Sequence, residues 1–196
     1  ARGTEKDLTK SFEWFVLSAD QNLPEAKLEL AYAYREGLGV EKNATEAFKW
    51  FLASAEDGDR TAQNEVGKSL RDGSGTPRDA KGAFKWFEKS ANLGDRDAMA
   101  NLALAYLDGQ GVIRDIEAAI TWLENSSSRE EPRADYHLGK MYASGTHLEK
   151  NENEAFSLIR RAAQKGLMVA QRELGEFYKK GIGTDQNLIE SFKWIK

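Results

Sequence analysis

Cysteine is absent from this chain of 196 residues. That excludes a disulfide scaffold and any zinc site built on thiolates, while leaving the compartment open. Histidine is scarce: there are 2, His137 and His147. A metal centre or a catalytic dyad needs several such groups converging, so each reads as a surface residue. No apolar run approaches the length that spans a bilayer, and none reads as a signal peptide. Charge of one sign is lacking too. The net charge is -4 with 31% charged residues, a mixed surface with no global basic field for nucleic acid. Carboxylate pairs such as Glu130-Glu131 are commonplace among 32 acidic residues. The expectation is a chain without metal, cofactor or catalytic chemistry.

What the chain does have is a repeat. Steps of 36 residues lead from Ala26 to Ala62, Ala98, Ala134 and Ala170, and from Gly37 to Gly73, Gly109, Gly145 and Gly181. All 5 tryptophans stand in one column, Trp14, Trp50, Trp86, Trp122 and Trp194, with Leu158 the substitute. Two residues before it run Phe12, Phe48, Phe84, Ile120, Phe156 and Phe192. Self-similarity at this period is the signature of stacked helical repeats.

Each column has a physical reason. Ala26, Leu30, Ala31 and Tyr34 share one face of a helix A, and Ala47, Phe48, Phe51, Ser54 and Ala55 share one face of a helix B. The Ala31 column is always small (Gly67, Ala103, Gly139, Gly175), which lets the partner helix come close. Gly37-Leu38-Gly39 ends helix A, because glycine tolerates the left-handed conformation just past a helix. The Asx residues Asp7, Asn43, Asp79, Asp115, Asn151 and Asn187 read as N-caps of helix B. Glu46 and Glu154 follow Asn43 and Asn151 at capping-box spacing. Pro24 and Pro132 suit the first turn of a helix A.

The register divides residues 1-196 into a single solenoid: a partial repeat at 1-23 with a lone helix B from about Glu5 to Ala19, then repeats at 24-58, 59-94, 95-130, 131-166 and 167-196. Gly3 falls on the second loop glycine and the chain stops at Lys196 inside a helix B, so a segment of a longer repeat protein is expected. Departures cluster after Trp122. Asn125-Ser126-Ser127-Ser128-Arg129-Glu130-Glu131 lacks the usual alanine and closing glycine, His147 replaces a loop glycine, and Leu158 replaces the tryptophan. This is either a degenerate repeat that still stacks or a weaker seam.

The pattern Ala-x-x-x-Leu-Gly-x-x-Tyr-x-x-Gly-x-Gly-Val, then Asx-x-x-x-Ala-x-x-Trp-x-x-x-Ala-x-x-Gly, resembles the Sel-one-like repeat (SLR) family, best from Ala98 to Val112 and from Leu30 to Gly58. That family is a relative of the tetratricopeptide repeat with a longer loop inside each helix pair. The resemblance implies an all-α, right-handed α-solenoid of antiparallel helix pairs, with a period of 36 residues. The recurring Gly-x-Gly is then a turn device; no strand precedes it as a phosphate-binding loop would require.

The resemblance also implies that helix A lines the concave side. Its inward positions then include the candidate partner-binding residues Leu28, Tyr32, Lys68, Arg71, Ala100, Leu104, Leu107, Arg133, Tyr136, Lys140 and Arg172. Ala100, Leu104 and Leu107 form an apolar middle with Tyr136 beside it and basic residues around it, the distribution of a binding surface with central anchors. The inward stripe as a whole carries an excess of four positive charges. The expected function is a non-enzymatic protein-protein interaction scaffold or adaptor, bacterial by resemblance, in the periplasm or envelope or else the cytoplasm. Its expected partner is another protein, offering an acidic segment with apolar anchors. The alternative is an immunity protein that neutralises a bacterial toxin by direct binding. An RNA-binding repeat fits less well, since only Tyr32 and Tyr136 could stack on bases and acidic residues interrupt the stripe. Direct membrane insertion is not expected; end-to-end self-association is.

Overall fold

The same stitch closes every loop that joins a helix A to a helix B. The Asx residue before helix B donates its backbone N–H to a carbonyl in the last turns of helix A: Asn43 to Tyr34 (2.9 Å), Asp79 to Leu70 (2.9 Å), Asp115 to Tyr106 (3.1 Å), Asn151 to Tyr142 (3.0 Å) and Asn187 to Tyr178 (2.9 Å). Its side-chain oxygen meanwhile accepts from the first turn of helix B. One residue thus satisfies an orphan carbonyl and an orphan N–H at once. This also corrects the capping-box expectation. The N–H that Glu46 or Glu154 would cap already has its carbonyl partner, and Glu46 turns to Lys49 Nζ instead (2.6 Å).

The computed structural model describes residues 5-21 and 23-195. Gly3 and Lys196, on which the reading of the chain ends rests, lie outside them. Among the described residues there are eleven α-helices and no strand. They are α1 (Glu5–Asp20), α2 (Pro24–Glu36), α3 (Ala44–Glu56), α4 (Arg60–Asp72), α5 (Ala80–Asn92) and α6 (Arg96–Asp108), then α7 (Ile116–Ser127), α8 (Pro132–Ser144), α9 (Glu152–Gln164), α10 (Met168–Lys180) and α11 (Leu188–Trp194). Even numbers are helices A and odd numbers helices B. Prolines 24 and 132 stand in the first turns of α2 and α8 as expected. Asp7 does not cap: α1 already runs from Glu5, so Asp7 lies inside it and its carbonyl accepts from Ser11 Oγ.

The chain divides into two compact units. One runs to Ala98 and includes Gly109–Ile113; the other is Met99–Asp108 with Arg114–Lys196. In the first, Phe51 and Phe87 are almost wholly buried. Each contributes about 2 kcal/mol relative to an exposed ring. Phe87 fits because a Cβ at Gly67 would collide with its ring, so the small column is what brings α4 onto α5. In the second unit Ile159 packs the same way over Gly139, and Leu123, Leu174 and Phe177 complete the interior. Ser126 and Ser127, in the divergent stretch, are buried, and Ser127 Oγ donates to Asp135 Oδ1 at 2.6 Å. That stretch is packed and hydrogen-bonded.

Both loop glycines are needed, for different reasons. Gly37, Gly73, Gly145 and Gly181 end their helices in the left-handed conformation. The second glycine touches the repeat before it: a Cβ on Gly75 (φ +73) or Gly111 (φ +75) would collide with the carbonyl of Ala44 or Ala80, in the first turn of the preceding helix B. Gly75→Ala therefore combines left-handed strain with a backbone clash, and a loss of about 3 kcal/mol is expected. Gly58→Ala, at φ +99 with open space around it, should lose only about 1 kcal/mol. Urea unfolding followed by circular dichroism measures both, and equal losses would show that the close approach between repeats is not the constraint.

Candidate protein-binding surface

In the first unit the expected residues are largely engaged with one another. Tyr32 stands edge-on to Phe51, with ring centroids 5.2 Å apart, and the Arg35 guanidinium lies 4.7 Å over the Tyr32 ring. Arg35 Nη1 then reaches Glu65 Oε2 at 2.7 Å, and Lys68 Nζ meets the other oxygen of that carboxylate at 2.8 Å. Glu65 itself is buried, so the two cations hold a desolvated charge and tie α2 to α4. Burial, reinforced by Glu65, pushes the Tyr32 hydroxyl up to about 12. Arg71 Nε donates to Asp72 Oδ1 at 2.8 Å, and that hydrogen bond holds the Asp72 carboxyl below its ordinary value. Leu28 is half-buried against the core of α2, α3 and α4.

In the second unit Ala100 is only 1% exposed. It therefore offers nothing to a partner, a correction to the apolar centre expected there. Its side chain falls on the packed flank of α6, a rotation that one repeat's sequence does not reveal. Leu104 and Leu107 are half-buried, Leu107 against the cluster around Ala103, Leu123 and Leu138. Arg133 Nε donates to Glu131 Oε1 at 2.7 Å and its Nη1 to Asn101 Oδ1 at 3.0 Å. Lys140 Nζ pairs with Glu173 Oε1 at 2.7 Å. The positive excess counted along the stripe is thus mostly neutralised. Its acids, Glu65, Asp72, Glu131 and Glu173, come from positions outside that stripe.

The start of α10, in the second unit, is open. Tyr136, Met168, Val169, Arg172 and Glu173 line a cleft of about 340 Å³. Tyr136 is half-buried against the α9–α10 core, while Met168 and Val169 are exposed at 79% and 55%. Arg172 is exposed and has no ion pair among the described residues. Met168 was missed from sequence. Its column otherwise holds Pro24, Arg60, Arg96 and Pro132, so a large apolar residue at an exposed helix start was the available signal.

Neither histidine lines this cleft, and the two differ from each other. His147 is exposed, at φ +70 where other loops have glycine. His137 is no surface residue: it is half-buried, edge-on to Tyr136 at 5.5 Å. Desolvation first, then the Arg133 charge, lowers its pKa, with Asp108 and Glu131 opposing. Among the described residues no cluster of side chains could hold a metal ion, and no helix is long and apolar enough to cross a membrane.

The family model described as Sel1 repeat matches six times, over residues 1–23, 24–59, 61–95, 96–129, 132–167 and 169–196. A Sel1 repeat protein from Oxalobacter formigenes is 34% identical, with a TM-score of 0.89 over 96% of this chain and 78% of that one. A protective antigen present in uropathogenic Escherichia coli strains, displaying an SLR fold, is 30% identical with a TM-score of 0.84. The match covers 97% of this chain, which spans only 41% of that antigen. An immunity protein from Pseudomonas aeruginosa shares the fold at 20% identity, with a TM-score of 0.65 over 95% of this chain and 72% of that one. No curated protein matches.

The buried imidazole makes stability depend on pH. His137 in the folded chain binds a proton less readily than its unfolded reference of 6.5. The contribution of the neutral ring is present above that value and is lost as the pH falls through the lower folded one. Urea midpoints measured at about pH 7 and about pH 5 should fall less in His137→Gln than in the wild type. Parallel profiles would assign the acid sensitivity to other groups.

Proposed function

The chain belongs to the Sel1 repeat family, and on that premise we propose that it is a non-enzymatic scaffold or adaptor whose helix A surface holds a partner protein. Sel1 repeat proteins generally mediate protein–protein interactions. The observation that carries the reading is the cleft at the start of α10, where exposed Met168 and Val169 stand beside half-buried Tyr136 and Arg172, which has no ion pair among the described residues. Exposed apolar side chains around a tyrosine, with one arginine at the edge, are the composition in which interface energy concentrates. The partner segment that suits it carries an apolar anchor and a carboxylate for Arg172. Lys68, Arg71, Arg133 and Lys140 have intramolecular acids already, so they shape the surface more than they attract a ligand.

An immunity role is the second reading within the same class. Its support is a likeness of fold at 20% identity, so the adaptor reading is preferred.

Affinity capture from the source cells, comparing the wild type with a Tyr136→Ala, Arg172→Glu variant of unchanged helical content, tests the reading. A protein held by the wild type and weakened at least about 30-fold in the variant is the expected result. Equal capture by both would move the binding site off this cleft.

A further inference from the structure

The tryptophan column has a structural meaning that its gap exposes. Trp50 lies against the core of α1 and α2 and also against that of α2, α3 and α4, which Trp86 meets as well; Trp122 lies against the cluster around Ala103, Leu123, Leu138 and Leu158, and Trp194 against that of α9 and α10. A helix B tryptophan therefore packs where successive helix pairs meet. In α9 the column holds Leu158, which is buried and packs with Leu123, Ala134 and Leu138 of α7 and α8. Beside it a cleft of about 400 Å³ remains, lined from α7 by Glu124 and Ser127, from the segment after it by Ser128 and Glu130, from α8 by Leu138 and Tyr142, and from α9 by Glu154, Leu158 and Arg161. Those three helices are the elements an indole in this column would bridge.

We propose that this vacated tryptophan seat receives an aromatic side chain, best an indole, from a basic segment of a partner protein. Leu158, Leu138 and Tyr142 give its lining an apolar and aromatic part. Its charged part is held in place. Arg161 Nε donates to Asp135 Oδ2 at 2.6 Å and its Nη2 to Ser127 Oγ at 2.7 Å, while Asp135 is 0% exposed. A charge so deeply buried demands its partner, so Arg161 stays fixed with part of its guanidinium facing the cleft, where an aromatic face can lie against it. Sign of charge decides the rest. Three carboxylates line or rim the cleft, and Glu124 and Glu154 form no ion pair among the described residues. An incoming cation beside the ring would find both, whereas an acidic segment would be repelled. The seat is distinct from the Tyr136–Arg172 cleft and does not depend on that surface being used.

The probes are two short peptides, acetyl-Lys-Trp-Lys-amide and acetyl-Glu-Trp-Glu-amide, titrated into the folded chain at low salt while amide resonances of Tyr142, Leu158 and Arg161 are followed. Ligands of this size bind at roughly millimolar strength. The expected result is saturable shifts at these three residues, with the basic peptide at least about tenfold tighter than the acidic one. Leu158→Trp should fill the seat from within and abolish the shifts while raising the urea midpoint. Should that variant misfold, the exposed pair Glu124→Lys and Glu154→Lys supplies the second test, since it should invert the preference between the peptides. No shift with either peptide, equal binding of both, or binding that survives Leu158→Trp overturns the proposal.

Discussion

The structure depends on how closely one repeat's loop can approach the first turn of the repeat before it. Gly39, Gly75, Gly111 and Gly183 each place their backbone where a side chain would strike the carbonyl of Leu8, Ala44, Ala80 or Glu152. The Asx residue a few positions on locks the same loop from both sides, donating to helix A and accepting from helix B. With both ends of the loop fixed by backbone sterics and hydrogen bonds, the helices between them have one length. That is why α2, α3, α4 and α5 each have 13 residues, and why the register survives. Packing holds the alanine, small-residue and tryptophan columns in addition, and the exposed positions answer to neither constraint.

This division explains what could be read from the residues and what could not. The glycine, Asx, alanine and tryptophan columns serve a turn or a packed face that recurs at the same place in successive repeats, so their spacing reveals them. Helix boundaries follow, as does the packing of Phe87 over Gly67. Ion pairs do not follow. Lys27–Asp57 and Arg35–Glu65 each span 30 residues, the first tying a helix A to the end of its own helix B and the second tying it to the next repeat, and their geometry comes from packing. Counting charges along one stripe therefore overstates its field. Ala100 is 1% exposed, and a small residue does not announce from the sequence which side of its helix it faces.

The departures from the repeat are concentrated, and they work together. His147 stands in the left-handed region where four other loops have glycine, and a Cβ there is incompatible with the approach those four make. Glu130 takes the closing-glycine position at φ +64, Ser127 replaces an alanine, and Leu158 replaces the tryptophan. Each change on its own loosens the junction of α7, α8 and α9. What compensates is polar: Asp135, Ser127 and Arg161 form a closed hydrogen-bonded group, and Lys165 Nζ reaches the Glu130 carbonyl at 2.8 Å. Hydrogen bonds of this kind are directional, and removing one partner strands a buried charge. The exchange of an indole for an ion pair thus keeps the repeats in register while leaving the volume between them unfilled. The junction is held by a hydrogen-bonded ion pair and a buried leucine at the place where the other repeats put an indole.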